Sequence, residues 1–134
     1  MKILILKKRK DFVRAAKGLK SVRPTLVLQA AQSLSAPNKP ILDDGCYLGF
    51  TATKKIGKAY KRNRTKRRLR AVAFEYFANY GLSGVDYVLV GRFHTADSEF
   101  SKLKSDMKHA IKDVNNQIKY LQSKKNEKAT NISD

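Results

Sequence analysis

Apolar positions along this chain repeat with two different periods, and the switches between them mark the predicted elements. Residues 7–17, KKRKDFVRAAK, carry Phe12, Ala15 and Ala16, with Leu19 beyond. Their three-to-four spacing predicts a short helix ended by Gly18. Pro24 favours an extended approach to TLVLQAAQ (25–32), which reads as a strand. The stretch SLSAPNKPILDDG (33–45) holds two of the three prolines and reads as a surface loop. In GCYLGFTAT (45–53), Cys46, Leu48, Phe50 and Ala52 point one way, and Tyr47, Gly49, Thr51 and Thr53 the other. A long helix fits residues 58–80, closed by Gly81. VDYVLVGR (85–92) is nearly continuous in apolar residues, as a strand covered on both faces would be.

Asp97 or Ser98 is expected to cap a last helix with Phe100, Leu103, Met107, Ala110, Ile111, Val114, Ile118 and Leu121 along one face. From Ser123 the chain turns polar, and residues 123–134 are expected to form a frayed tail. The pattern predicts a single α+β domain over residues 1–122, in the order α-β-β-α-β-α.

Length permits one modest core and no second domain. Charge changes the picture more. The chain has 29 Lys and Arg against 11 Asp and Glu, a formal net charge of +18. Repulsion on that scale calls for a polyanionic partner: nucleic acid, an anionic membrane or an acidic protein. The one cysteine, Cys46, excludes an internal disulfide and lies in a strand, where it reads as a small core residue. The N-terminal MKILILKKRKD has too short an apolar run for a secretory segment or a membrane span. A cytoplasmic protein is therefore expected.

The positive charge concentrates in KKIGKAYKRNRTKRRLR (54–70), where ten of seventeen residues are Lys or Arg and none is acidic. At about 100° per residue, Thr65, Leu69, Val72, Ala73, Tyr76 and Tyr80 fall in one arc of the helix. Asn63, Lys66, Arg67 and Arg70 fall opposite, flanked by Arg64 and Arg68, while Arg62 lies nearer the buried arc. A merely solvated face would mix Glu with Lys at i,i+4, yet no acid stands between Asp44 and Glu75. Arginine's planar fork suits phosphate, and the exposed face has little beyond Phe74 to sink into a membrane. Nucleic acid is the partner this pattern favours. A DNA major-groove reader is the weaker form, because no helix-turn-helix partner precedes the basic helix.

Nothing in the sequence assembles a catalytic centre. His94 and His109 are isolated, and the acids are scattered singly except for Asp43 and Asp44 in the proline-rich loop. Neither a metal cluster nor a nucleophile with its base is apparent. The chain is expected to bind, with chemistry supplied elsewhere.

The run TATKKIGKAYKRNRTKRRLR (51–70) closely resembles the signature of the bacterial ribonuclease P protein component, with the KRNR-x-KR-x-x-R core at Lys61 to Arg70. KKRKDF, TLVLQ and DYVLVGR extend the resemblance over roughly residues 7–121. It implies an α/β sandwich with an unusual left-handed βαβ crossover through the basic helix. It implies a subunit that joins a catalytic RNA and helps remove the 5′ leader of precursor tRNA, with Mg²⁺ acting alongside the RNA. No organic cofactor, membrane or obligate protein partner is implied. By position, Lys61, Arg62, Asn63, Arg64, Lys66, Arg67, Arg68 and Arg70, with Lys54 and Lys55 in the preceding loop, match the motif facing the catalytic RNA and its metal-rich region. Phe12, Gln29, Thr51 and Thr53 match the cleft for the single-stranded leader. Ala16 stands where many members carry a second Phe, and Gln29 where some carry Tyr, so less base stacking is expected in this cleft. The resemblance assigns no metal ligand in the protein. A basic ribosomal or general RNA-binding structural protein is the alternative that composition alone leaves open.

Overall fold

In the computed structural model, which describes the backbone of residues 1–133 and the side chains of residues 1–127, five strands form one mixed sheet flanked by helices. The elements are β1 (Lys2–Ile5), α1 (Arg9–Ala16), β2 (Leu19–Val22), β3 (Leu26–Gln32), β4 (Gly45–Thr51), α2 (Ala59–Tyr80), β5 (Val85–Gly91) and α3 (Phe100–Ser133). The strand order across the sheet is β1-β4-β5-β3-β2. β1 and β4, and β4 and β5, pair in parallel, whereas β3 is antiparallel to both β5 and β2. The chain passes from β4 to its parallel neighbour β5 through α2, which is the expected βαβ crossover.

Alternation along the central strands divides the core in two. Leu26 and Leu28 of β3, Cys46, Leu48 and Phe50 of β4, and Val85, Tyr87 and Leu89 of β5 meet α2 and α3. On the other face Tyr47 and Val88 join Leu6 and Ala15, with Phe12 packed against them under α1. β4 and β5 are buried almost throughout, as strands covered on both sides must be.

The structure corrects the predicted order in two places. Two edge strands, β1 and β2, were absent from it, so the order is β-α-β-β-β-α-β-α. Each has four residues and little burial: only Ser21 of β2 is buried, and β1 has no buried residue. Neither can show the apolar alternation by which a half-buried strand is recognised. The last helix also starts later than expected. Ser98 turns its hydroxyl back to the His94 carbonyl at 2.6 Å, and Lys102 and Leu103 donate their backbone N–H groups to Glu99. Neither Asp97 nor Ser98 therefore caps α3. α3 runs on through the polar segment from Ser123 as far as Ser133.

Candidate nucleic-acid interface

The basic run begins where β4 leaves the sheet. A 3₁₀ turn, Lys54–Ile56, buries Ile56 and leaves Lys54 and Lys55 exposed. Gly57, at φ 129°, then turns the chain into α2 with a backbone that residues bearing a Cβ rarely adopt. The first turn of α2 contains no acid and no side-chain cap, while Lys58, Lys61 and Arg62 crowd it. Cations at a helix N-terminus oppose the macrodipole, and the first N–H groups there lack intrahelical partners. An incoming phosphate would offset both unfavourable terms.

Along α2 the cations separate into two populations. Arg64 and Arg68 serve the fold: Arg64 Nε donates to the Ala96 carbonyl at 3.0 Å, and Arg68 donates to Thr95 at 2.8 Å and to Ser98. The Arg68 guanidinium also lies 4.8 Å from the ring centre of Phe100. These two arginines fasten α2 to the loop before α3, so the simple picture of flanking, mutually repelling charges does not hold for them. Lys61 bends over Phe93, 3.8 Å from the ring centre. Arg70 stands 5.4 Å from the centre of Phe50. Asn63 and Arg67 are exposed and Arg62 and Lys66 half-buried; among the described residues none of these four has a side-chain hydrogen bond or ion pair.

The docking stripe differs from the predicted arc at one end. Thr65, Leu69, Val72 and Ala73 are buried and Tyr76 half-buried, but Tyr80 is 55% exposed and Phe77 is fully buried in its place. α3 packs along that flank of α2, and Phe77 meets Tyr87 with ring centres 4.8 Å apart. Tyr80, in the last turn, offers its carbonyl to Asn115 instead.

All four residues expected at the leader cleft come together. Phe12 of α1, Gln29 of β3, Thr51 of β4 and Thr53 line one cleft of about 570 Å³. Lys7 and Arg9 supply charge there, while Val88 and Val90 add an apolar surface. Phe12 is half-buried: it packs on the α1-side core and also lines the cleft. Ala16 lines the same cleft. Phe50, absent from the expected set, both lines the cleft and lies beneath Arg70, so the cleft and the cationic helix share one residue.

An ionic cluster fixes α1. Asp86 of β5, fully buried, accepts from Arg14 at 2.5 Å, Lys39 at 2.8 Å and Ser33 at 2.5 Å. Arg14 also pairs with buried Asp11 at 2.9 Å, and Lys39 approaches the same carboxylate at 3.3 Å. Burial alone would raise Asp11, but the hydrogen bonds and charges of Arg14 and Lys39 outweigh it and hold the carboxyl below its usual value. The cluster ties α1, β5 and the proline-rich loop together. Asp86 carried a signal in the sequence, because a lone acid in a strand buried on both faces needs a cation partner.

The remaining reactive groups are spent or isolated. Burial, with a smaller contribution from Asp86, pushes the Cys46 thiol up to about 12, far from a reactive thiolate. His94 and His109 are exposed, and His109 Nδ1 lies 2.8 Å from the Ser105 carbonyl. Among the described residues no group of three or more His, Cys, Asp or Glu could hold a metal ion, and no helix is long and apolar enough to cross a membrane. The lysines and arginines of α2 would repel a bare cation rather than coordinate one, so the chain's own donors do not fit a protein-held Mg²⁺.

A family model described as Ribonuclease P matches residues 2–115. The ribonuclease P protein component of Paramagnetospirillum magneticum is 41% identical over 110 residues, covering 81% of this chain and 80% of that one. Its counterpart in Erythrobacter litoralis is 38% identical over 108 residues, covering 81% and 83%. The solved structure of the Staphylococcus aureus RNase P protein matches with a TM-score of 0.62 at 24% identity, over 83% of this chain and 94% of that one, a likeness of fold. The Thermotoga maritima RNase P protein matches with a TM-score of 0.54 at 27% identity, over 78% and 94%. A ridge of cations and a cleft beside it, with no metal-binding cluster among the described residues, thus occur in a chain that belongs to the ribonuclease P protein family, the protein component of a ribonucleoprotein that processes tRNA.

Proposed function

We propose that this chain grips the catalytic RNA with its basic helix and the 5′ leader of precursor tRNA with its cleft, assisting Mg²⁺-dependent removal of the leader in the cytoplasm. The observation that carries this reading is the junction at Phe50, where the cleft adjoins the helix through Arg70. Asn63, Lys66 and Arg67, with Lys54, Lys55 and Arg62, would take the phosphates of the catalytic RNA. Phe12 would offer a ring edge or face to a leader base, a contact that tolerates any sequence. Gln29, Thr51 and Thr53 would donate or accept at the sugar-phosphate strand, and Lys7 and Arg9 would neutralise it. Ribonuclease P chemistry needs metal, and the protein's part is binding and orientation, in keeping with the lack of a metal-binding cluster among the described residues.

The test is reconstitution. Purified chain, catalytic RNA and labelled precursor tRNA are combined at low Mg²⁺, with each component omitted in turn. Cleavage at the mature 5′ end should need the RNA, and the protein should lower the Mg²⁺ required. Cleavage by the protein alone, or no effect of the protein at limiting Mg²⁺, would overturn the reading.

A further inference from the structure

Beside the first turn of α2, the loop after β5 holds up an aromatic ring that lies outside the cleft and meets the basic helix only through Lys61. Phe93 is 56% exposed. Isolated apolar side chains on a surface are ordinary, but three observations set this one apart. The ring is held in place: His94 meets it edge to face, with centres 5.2 Å apart at 86°. The loop that carries it is bolted down on both sides. Arg92 N–H donates to Thr95 Oγ1 at 2.8 Å, Thr95 Oγ1 donates to the Thr25 carbonyl at 2.5 Å, and Arg92 Nη1 donates to the Arg23 carbonyl at 2.8 Å. Arg64 and Arg68 anchor the same loop to α2. Finally, the ammonium of Lys61, itself within the basic motif, sits 3.8 Å from the ring centre. Tyr60, the preceding residue, is 73% exposed.

A rigid exposed ring with a cation against it, at the edge of a phosphate-binding surface, has the make-up of a base-stacking platform. Phosphates drawn to the first turn of α2 would bring their bases within its reach. We infer that Phe93 stacks on an unpaired base of the catalytic RNA, adding a salt-independent contact to the cationic ridge. The leader is the less fitting occupant, because the cleft lies under α1 on one face of the sheet, whereas Phe93 belongs to the loop fastened to α2 on the other. The inference rests on the proposed assembly with the catalytic RNA.

Assembly titrations with the catalytic RNA, at about 50 and about 200 mM salt, compare wild type with Phe93→Ala, Phe93→Leu and Phe93→Trp. Alanine and leucine should each weaken assembly by roughly five- to a hundredfold, the worth of one stacked base, while tryptophan keeps it. The ratio to wild type should be the same at both salts. Thermal unfolding monitors the fold; if Phe93→Ala fails to fold, Phe93→Leu, which keeps apolar bulk without a π-face, carries the test. Wild-type assembly by either Ala or Leu would overturn the inference. So would a loss confined to precursor tRNA, which would move the ring's partner to the leader. Failure of the wild type itself to bind the catalytic RNA would instead sink the proposed function.

Discussion

Phe12 lies over Gly49: a Cβ built on that glycine would stand 2.6 Å from Cε1 and 2.7 Å from Cζ of the ring. The absence of a side chain at position 49 is therefore what lets the ring settle beside β4 and leave the cleft open. Gly49→Ala should push the ring outward into the cleft, at about 1–3 kcal/mol in stability, the usual cost of overpacking. Precursor tRNA should bind several-fold more weakly to the holoenzyme, with mature tRNA unchanged. Equilibrium binding of both tRNAs, alongside thermal unfolding, checks this; equal losses for the two would detach Phe12 from the leader.

Arg67 and Arg68 are neighbours in sequence with different work. Arg68 donates to carbonyls of Thr95 and Ser98, whereas Arg67 is exposed. Arg67→Ala should leave stability within about 0.5 kcal/mol and weaken assembly with the catalytic RNA. Arg68→Ala should lower stability by about 1–2 kcal/mol, since it removes half-exposed bonds from a charged donor. Denaturant unfolding and assembly titration of both variants should show this crossed pattern. Matching behaviour in the two assays would refute the division of labour.

Assembly should weaken steeply with salt. Lys54, Lys55, Arg62, Lys66, Arg67 and Arg70 present a surface for about six phosphates, which implies a loss of roughly 10³ in affinity between about 50 and 200 mM salt. Removing Arg67 should lower the slope of log affinity against log salt by about one unit. A slope near one for the wild type would mean that the charge is largely unused.

Acid should loosen the hold on α1. Asp11 has a folded-state pKa below its ordinary value, so its contribution is fully present above the unfolded pKa and is lost as pH falls through the folded one. Stability should therefore decline as pH drops below about 4. Asp11→Asn should lose about 1–3 kcal/mol at neutral pH, leaving Arg14 and Lys39 short of a counter-charge, and should show a shallower acid limb. Melting temperatures from about pH 6 to pH 2 test both; an unchanged acid limb in the variant would place the sensitivity elsewhere.

Much of this was legible in the sequence because burial and period coincide there. β3, β4, β5 and both long helices announce themselves by apolar spacing, and Phe12, Gln29, Thr51 and Thr53, set far apart along the chain, line one cleft. What escaped was structure held by something other than apolar periodicity. β1 and β2 are edge strands defined by backbone pairing, with register Ile3↔Cys46 and Ser21↔Leu28. The Asp86 cluster joins residues 11, 14, 33, 39 and 86, and no local window brings Asp86 together with its cations. Arg64 and Arg68 also hold the loop before α3, a role hidden in the sequence because a run of cations does not reveal which of them face a carbonyl of their own chain. Phe50 went unnoticed for a related reason: alternation assigned it to the core, and it sits where the core reaches the cleft.

The sheet order also governs when the cationic helix becomes a defined surface. β4 finds its neighbours only at the two extremes of the segment it belongs to: β1 begins at Lys2, and β5 ends at Gly91. α2 lies between β4 and β5, so a nascent chain that has emerged only as far as Tyr80 carries the whole basic motif with no strand to complete the platform beneath it. Contacts that span so much sequence form late, because the loops they close must be ordered first. During synthesis the chain therefore passes through a stage in which its most positive segment is translated but undocked, open to any polyanion at hand. The platform beneath α2 is complete only when VDYVLVG pairs with its neighbours on both sides.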